Sequence, residues 1–368
     1  MAKDFFEHYE EDLERHEKRL SRSDRKILRA KDRSQYKKSD QDQQKKLTES
    51  FISAEGTDRG RVLNISGEFM EVATATGTLV PCVVSGALKH KTARMKNIIA
   101  VGDFVHFIPM NEREGMVLEV EPRTTVLSRA DNLSHQKEHI IAANIDLVLI
   151  TVSVGQPLLK TPIIDRYIIA ADKGKMKYVI IINKIDLLES EEYETEKAMY
   201  EETCKAYALA AVPLIGVSTV TGEGMDKLKE VMHNKASVFS GQSGVGKSSL
   251  INMLTGSELP TRTGVERTGK GAHTTTKAQL IPIESGGWVI DTPGIRSFGM
   301  WDLNKDEVAA YFDEFALYFP KCRFANCTHT HEEGCAVIQA VEEEKIHPLR
   351  YYSYCALLEQ LDQEHLRR

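Results

Sequence analysis

A glycine-rich segment two thirds of the way along the chain has residue types that bind phosphate. The segment "SGQSGVGKSSL", residues 240–250, contains Gly241-x-x-x-x-Gly246-Lys247-Ser248 between an apolar run and a helical pattern, the context that a phosphate-binding loop requires. Backbone N–H groups of such a loop surround phosphates at a helix N-terminus, where anions are favoured. We expect Lys247 to reach the β- and γ-phosphates and Ser248 to bind Mg²⁺. The loop alone leaves ATP and GTP open.

A second motif distinguishes the two bases. The tetrapeptide "NKID", residues 183–186, follows a strongly apolar run. The carboxylate of Asp186 can accept hydrogen bonds from both N1–H and the exocyclic amine of guanine, a pair of donors that adenine lacks. We expect Asn183 to brace the neighbouring loops and the stem of Lys184 to lie over the base. The motif therefore predicts a site for GTP.

Two further segments complete the predicted nucleotide site. In "DTPG", residues 291–294, we expect Asp291 to hold Mg²⁺ and the N–H of Gly294 to contact the γ-phosphate. In "GVSTVTGEG" we expect the backbone N–H groups of Ser218 and Thr219 to contact the guanine oxygen. The predicted GTP-binding residues are Asn183, Lys184, Ile185, Asp186, Ser218, Thr219, Gly241, Gln242, Ser243, Gly244, Val245, Gly246, Lys247, Ser248, Ser249, Asp291 and Gly294.

These motifs are arranged in an unusual order along the chain. The guanine motifs, at 183–186 and 216–219, precede the phosphate motifs at 241–248 and 291–294, whereas an ordinary GTPase has the reverse order. Each motif follows its own predicted strand, so the site depends only on where the strands lie in the sheet. A circular permutation keeps those positions, because the original termini can be joined and new ones opened in a loop. The segment after DTPG then runs directly into the C-terminal region, which should anchor it.

The residue after the DTPG glycine bears on hydrolysis. Signalling GTPases place a Gln there to orient the attacking water, whereas this chain has Ile295. Either another group positions the water, or hydrolysis is slow until a partner acts. Residues 256–277 show no periodicity, which predicts a long functional loop, and they offer His273 in "HTTT". The predicted magnesium ligands are Ser248, Asp291 and one of the three threonines in "HTTT", for which we favour Thr276.

Three of the six cysteines cluster near the C-terminus. The segment "KCRFANCTHTHEEGC" gives Cys322-x₄-Cys327-x-His329-x₅-Cys335, with His331 as a competing nitrogen ligand. Three thiolates and an imidazole suit tetrahedral Zn²⁺ in a closed structural site, since no coordination position is left for catalysis. The cluster therefore predicts one structural zinc ion, and the alternative is a set of buried free thiols.

The permuted order, followed by this cysteine cluster, resembles the circularly permuted ribosome-assembly GTPases of the RsgA family over about residues 59–350. The resemblance implies hydrolysis of GTP to GDP, with the small ribosomal subunit and its rRNA as partner and activator, in late maturation of that subunit. It implies that His273 is the catalytic residue and that His329 is the nitrogen ligand to zinc. The pair Ser218–Thr219 departs from the Ser-Ala that is commoner in the family.

The pattern along the chain predicts a multidomain α/β protein. Short β-branched runs separated by turn residues predict an OB-like RNA-binding barrel at 51–127, in which the basic segment 88–97 is an RNA-binding loop or a merely solvated one. Buried strands alternating with helices predict a circularly permuted P-loop GTPase domain at 128–300, with a parallel sheet covered on both faces. Residues 301–368 are predicted to form a zinc-binding helical domain that holds the segment after DTPG.

The N-terminus and the overall charge add weaker constraints. Residues 1–50 carry dense charge of both signs, which predicts a solvated extension or, alternatively, an arm that orders on RNA. A net charge of −6 gives no global argument for nucleic-acid binding, so any such site must be a local basic patch. No apolar run is long enough for a membrane span, and residues 1–20 show no apolar core of the kind that a secretory signal needs. We expect a cytoplasmic monomer that does not contact a membrane.

Two other functional classes are compatible with parts of this pattern. A nucleotide-gated RNA-binding module with little turnover is consistent with Ile295. A P-loop ATPase or small-molecule kinase is consistent with the phosphate loop alone, and Asp186 argues against it.

Overall fold

The computed structural model describes residues 56–91, 98–111, 114–130, 138–257, 278–291 and 303–366. Its first part is a closed five-stranded barrel with strand order β1-β2-β3-β5-β4 and a further pairing of β4 with β1, as the sequence predicts. The elements are β1 (Asp58–Ser66), β2 (Phe69–Thr74), β3 (Leu79–Val84), the short helix α1 (Gly86–Lys91), β4 (Phe104–Pro109) and β5 (Gly115–Val120). Residues 1–50, with their predicted RNA arm, lie outside the described residues.

Alternating residues of the barrel strands fill its interior, because successive side chains of a strand point to opposite faces. The fully buried interior residues include Val62, Val72, Cys82, Val105 and Val117. The predicted basic segment 88–97 differs from expectation at its start, which belongs to α1 rather than to a loop. The hydroxyl of Ser85 accepts the N–H of Leu88 at 3.2 Å, which caps this helix.

A hairpin that the sequence did not predict follows the barrel. It consists of β6 (Val126–Ala130) and β7 (Glu138–Ala143), paired antiparallel. A bridge between Val101 and Ala142 attaches it to the barrel, and Arg61 of β1 donates to the carbonyl of Asn144 at 2.6 Å. The hairpin therefore ties the barrel to the start of the next unit.

The second part is a six-stranded sheet with order β10-β9-β8-β11-β13-β12. Strands β10, β9, β8, β11 and β13 run parallel, and β12 lies antiparallel to β13. One pair, Asn64 with Gln279, also joins β12 to β1 of the barrel. The elements are β8 (Leu147–Ser153), α2 (Thr161–Lys173), β9 (Lys177–Asn183), α3 (Glu194–Leu209), β10 (Leu214–Val217), α4 (Met225–Met232), β11 (Ala236–Ser240), α5 (Lys247–Thr255), β12 (Gln279–Pro282) and β13 (Trp288–Asp291).

Helices cover both faces of this sheet, as its continuous apolar strands predict. All seven residues of β8 are buried. On one face α2 and α3 pack through residues such as Ile164, Ile168 and Tyr207. On the other face α4 and α5 pack through residues such as Leu228 and Leu250. The sheet is therefore a rigid support whose strand ends have fixed positions.

The C-terminal region is a set of short turns and helices beside α2. Its elements are 3₁₀ helices at Lys305–Tyr311 and Phe319–Lys321, and α6 (Asp313–Ala316), α7 (Ala336–Glu342) and α8 (Pro348–Leu366). The rings of Phe312, Phe315 and Tyr354 form its core, with centroids 5.1 to 5.6 Å apart. No helix in the described part of the chain, α8 included, is both long enough and apolar enough to cross a membrane.

A buried ion-pair cluster fastens α8 to the central sheet. The guanidinium of Arg350 contacts Asp165 of α2 and donates from Nε to Glu314 of α6 at 2.6 Å. Tyr207 of α3 donates its hydroxyl to Asp165 at 2.9 Å. Because Arg350 and Asp165 are only 2% and 1% exposed, water cannot replace a lost partner. The cluster therefore holds four helices in one arrangement.

Arg350→Met is expected to destabilise the protein by about 3–5 kcal/mol, because it leaves two carboxylates without their buried cation. Lys305→Met is the matched control, since Lys305 also pairs with α8, through Asp362, but at an exposed position. That change should cost less than about 1 kcal/mol. Urea unfolding of the full chain at one pH measures both, and equal costs would contradict the assignment of the cluster as an anchor.

Candidate functional site

The four predicted nucleotide motifs meet at one edge of the central sheet. Strands β9, β10, β11 and β13 end at Asn183, Val217, Ser240 and Asp291, and the four are parallel strands of one sheet, with β8 between β9 and β11. Ligands of open α/β sheets bind at this carboxyl edge. The reversed motif order along the chain thus gives a single site in space.

The phosphate loop joins β11 to α5 and encloses its own lysine. The ammonium of Lys247 donates to the carbonyls of Gly241 and Gln242 at 2.8 and 2.6 Å. Gly246 has φ +92°, and a Cβ placed there would lie 2.2 Å from the side-chain nitrogen of Asn183. Only glycine fits this position, because any other side chain meets both the strained backbone and the amide. The loop is therefore shaped by the neighbouring guanine motif as well as by its own sequence.

Asn183 links the guanine motif to the phosphate loop. Its side-chain nitrogen donates to the carbonyl of Val245 at 2.9 Å, and the residue is 1% exposed. This bond is the bracing that the sequence predicts for Asn183. It fixes the two halves of the site, which lie 62 residues apart in the chain, at one separation.

Lys184 adopts a left-handed backbone with φ +65° just before the 3₁₀ turn Ile185–Glu189. Its ammonium donates to the carbonyl of Gln156, in the loop after β8, at 2.6 Å. The pKa of the Lys184 amine is lowered, because the effect of burial exceeds the opposing effect of the nearby Asp186 carboxylate. The lysine stem is thus held at both ends, by the backbone and by the bond to Gln156.

Ser218 supports Asp186 in a way that differs from the expected one. Its hydroxyl donates to Oδ1 of Asp186 at 2.6 Å and accepts the N–H groups of Val220 and Thr221, each at 3.1 Å. Its own N–H donates to the carbonyl of Glu223 at 3.0 Å instead of facing the base. The expected backbone role of Ser218 is therefore replaced by a side-chain role, which orients the carboxylate.

Several predicted site residues lie outside the part of the chain that the structure describes. They are His273 and Thr276 of the predicted long loop, together with Gly294 and Ile295 after the third phosphate motif. Asp291 is the last residue of β13, the strand that pairs with β11. The remaining predicted GTP-binding residues all lie among the described residues, at strand ends, in loops and turns, or in the first turn of α5.

The three clustered cysteines and His329 converge in the C-terminal region. One ligand atom from each of Cys322, Cys327, His329 and Cys335 lies within 4.8 Å of all the others. Nδ1 of His329 is 3.6 and 3.4 Å from the sulfurs of Cys322 and Cys335. A tetrahedral zinc ion with bonds of about 2.0–2.3 Å needs only small shifts of these atoms. His331 is exposed, and its Nδ1 lies 2.8 Å from the Thr330 hydroxyl, outside this cluster.

Neighbouring groups hold the backbone and ring of this cluster. His329 has φ +59°, and its ring stacks on Phe319 with centroids 4.9 Å apart. The Tyr351 hydroxyl of α8 donates to the His329 carbonyl at 2.9 Å, and Tyr354 donates to Thr328 at 2.6 Å. Burial, together with the neighbouring Cys335 and Cys322, raises the pKa of the Cys327 thiol to about 12. A thiol in this position ionises more readily beside a cation, which fits a metal-binding donor set.

The chain is similar to known proteins over most of its length. A family model described as RsgA GTPase matches residues 120–301. The chain is 39% identical over 314 residues to the "Small ribosomal subunit biogenesis GTPase RsgA" of Chlorobaculum parvum, an alignment that covers 83% of this chain and 98% of that protein. The chain belongs to the RsgA GTPase family. The protein of the same name from Bacteroides fragilis is 38% identical over 303 residues, which cover 82% of this chain and 96% of the relative.

Two solved structures are similar to this chain over most of its length. The crystal structure of YjeQ from Thermotoga maritima has a TM-score of 0.64 at 32% identity, covering 83% of this chain and 98% of that one. The structure of YloQ, described as a circularly permuted GTPase, has a TM-score of 0.65 at 25% identity, covering 85% and 98%. The chain is therefore a circularly permuted GTPase with a five-stranded barrel before the GTPase sheet, and as an RsgA family member it is a GTP hydrolase.

Two contacts of the RsgA-type site escaped the sequence reasoning. The carbonyl of Gln156 carries no sequence signature, since every residue has one, and only the fold brings it to Lys184. The Ser218 hydroxyl had a signal, because a serine at a strand end before Gly222 and Gly224 is typical of a side-chain-capped turn.

Proposed function

We propose that this GTPase binds the small ribosomal subunit, assists its late maturation, and hydrolyses GTP to GDP and phosphate with activation by the subunit. The relatives that the chain covers almost entirely are named small ribosomal subunit biogenesis GTPases. The observation that supports a guanine nucleotide as the ligand is the Asn183–Val245 hydrogen bond, which holds the NKID motif against the phosphate loop. A nucleotide-binding site with Asp186 at its base end selects guanine.

In the proposed complex each part of GTP has its own partners. Asp186 accepts the two guanine donors while Ser218 holds the carboxylate, and the N–H of Thr219 faces the guanine oxygen. The stem of Lys184 lies over the base. The backbone of the phosphate loop surrounds the phosphates, with Lys247 moving from its own loop carbonyls to the β- and γ-phosphates. The full proposed set is Asn183–Asp186, Ser218, Thr219, Gly241–Ser249, Asp291 and Gly294.

Hydrolysis rests mainly on positioning and on charge stabilisation. Ser248, Asp291 and Thr276 would hold Mg²⁺, which neutralises charge on the phosphate oxygens when bound. Because Ile295 cannot hydrogen-bond the attacking water, we assign that task to His273. Lys247 and the loop N–H groups stabilise the charge that develops on the phosphate oxygens.

We further propose that Cys322, Cys327, His329 and Cys335 hold one structural zinc ion, on the geometry given above. The corresponding division of the chain is an extension at 1–50, a barrel at 51–127, a GTPase domain at 128–300 and a zinc-binding helical domain at 301–368. The barrel and the helical domain would contact ribosomal RNA on either side of the GTPase domain. The protein would act in the cytoplasm as a monomer.

GTP turnover with and without purified small ribosomal subunits tests this proposal. We expect slow turnover by the chain alone and a rise of at least about tenfold with the subunit, since partners of GTPases supply large factors. His273→Ala should lose that rise while GTP still binds. Unstimulated turnover with retained GTP binding, and no effect of His273→Ala, would instead support the nucleotide-gated binding module that Ile295 favours.

A further inference from the structure

Residues 154–160, the loop that joins β8 to α2, lie at the nucleotide edge of the sheet but belong to none of the GTPase motifs. The N–H of Val154 donates to the carbonyl of Asn183 at 2.9 Å, so the loop begins beside the guanine motif. The carbonyl of Gln156 accepts the ammonium of Lys184 at 2.6 Å. Pro157 lies beside the phosphate loop, because a Cβ on Gly244 would be 3.5 Å from the proline ring. The loop thus contacts both halves of the site.

The loop is fixed from its inner side. The buried hydroxyl of Ser153 donates to the carbonyl of Pro157 at 3.3 Å and closes the turn. Gly155 has φ +73°, and a Cβ added there would lie 3.0 and 3.1 Å from the side chains of Tyr193 and Leu187. These two side chains belong to the turns that follow NKID. The loop therefore fits against the guanine motif with little free space.

The far end of the loop is held by the C-terminal helix. Thr161, the first residue of α2, accepts a hydrogen bond from Ser353 of α8 at 2.7 Å, and both residues are buried. One turn further, Asp165 pairs with Arg350 of the same helix. The loop is therefore anchored at both ends, and α8 reaches the guanine side of the site through it.

We propose that residues 154–160 are a positioning element of the guanine pocket, acting through Lys184. The inference rests on the proposed role of the Lys184 stem over the base. A free lysine side chain samples many rotamers, and fixing it on binding weakens affinity. The Gln156 carbonyl fixes it beforehand, so the stem already forms one face of the pocket. The loop therefore contributes to binding of the base, a part of the nucleotide that GMP, GDP and GTP share.

Gly155→Ala tests the element, with Gly77→Ala as matched control. Both glycines have positive φ, but a Cβ on Gly77, in the barrel, meets nothing within 4 Å. Calorimetric titration of the full chain with GMP, GDP and a non-hydrolysable GTP analogue should show Gly155→Ala weakening all three by a similar factor of about ten. Gly77→Ala should leave the three affinities unchanged. The melting temperatures of the two variants measure the destabilisation that an alanine at positive φ causes in both.

A double-mutant cycle with Lys184→Met decides whether the loop acts through the lysine, because coupled changes are not additive. We expect Gly155→Ala to weaken binding in the wild-type background and to add little in the Lys184→Met background. Equal losses in both backgrounds, or no loss in either, would overturn the proposal. A different result would contradict the proposed function itself: the unmodified chain would bind GDP and ADP with equal affinity.

Discussion

Asp186→Asn is expected to change the preferred base of the enzyme from guanine to xanthine. The carboxylate accepts from N1–H and from the exocyclic amine of guanine, whereas an asparagine side chain has one acceptor and one donor group. Its amide donor would face the guanine amine and would match the carbonyl that xanthine carries there. The lost hydrogen bond to a charged group is worth about 1.5–3 kcal/mol, so the affinity for GDP should fall about 10- to 150-fold.

The surrounding turn should survive this substitution. The Ser218 hydroxyl, which donates to Oδ1 of Asp186, can donate equally to an amide oxygen. The turn itself is closed by the Ser218–Glu223 backbone bond, which does not involve Asp186. A loss of GDP affinity in the variant therefore reports base recognition rather than a collapsed loop.

Titrations of the variant with GDP and with xanthosine diphosphate measure the change in base preference. Asp226→Asn is the control. It makes the same change of charge, at a fully exposed side chain in the first turn of α4. The control should keep guanine preference. If Asp186→Asn binds GDP as tightly as the unmodified chain, Asp186 does not read the base, and the guanine assignment is wrong.

The parts of this site that the sequence predicts are those encoded by continuous patterns. Strand β11 coincides with the run "ASVFS" before the phosphate loop, a short and mostly apolar run of the kind that a parallel strand covered on both faces requires. Each polar motif follows such a run, so its place at a strand end can be predicted. The Asn183–Val245 bond then follows from where β9 and β11 lie in the sheet, on either side of β8.

The parts that the sequence does not predict depend on contacts between distant segments. The hairpin β6–β7 is built from short runs, "VLSRA" and "EHIIAA", without clean alternation, and it is bridged to the distant Val101 of the barrel region. The bond from Lys184 to Gln156 joins a side chain to a backbone carbonyl 28 residues away. Neither is visible in residue types, since backbone groups are the same at every position.

A serine or alanine in place of Cys335 is expected to remove zinc from the chain and to unfold the C-terminal region locally. Cys335 is 4% exposed, and its sulfur lies 3.4 Å from Nδ1 of His329. A hydroxyl is a poor zinc ligand, and three remaining ligands leave an open position. Structural zinc sites in small domains supply about 10–16 kcal/mol of binding free energy that stabilises the fold. The zinc content should fall from about one ion per chain to nearly none.

Three control variants separate a metal site from ordinary core packing. His329→Ala should lose zinc as Cys335→Ser does, whereas His331→Ala should keep it, because His331 is exposed and lies outside the cluster. Cys355→Ser should also keep it, although Cys355 packs in the same hydrophobic core. Zinc is measured by elemental analysis of the purified full chain, and local unfolding by hydrogen exchange of α7 and α8.

The consequence of zinc loss for the GTPase site follows from the contacts of α8. Tyr351 and Tyr354 tie this helix to the backbone of the cysteine cluster, while Arg350 and Ser353, on the adjacent positions, tie it to α2. Removing the metal should therefore loosen α2 as well as the cluster. Hydrogen exchange in α2 should rise in Cys335→Ser and stay unchanged in Cys355→Ser. Unchanged exchange in α2 after complete zinc loss would show that the Arg350 cluster holds α8 without the metal.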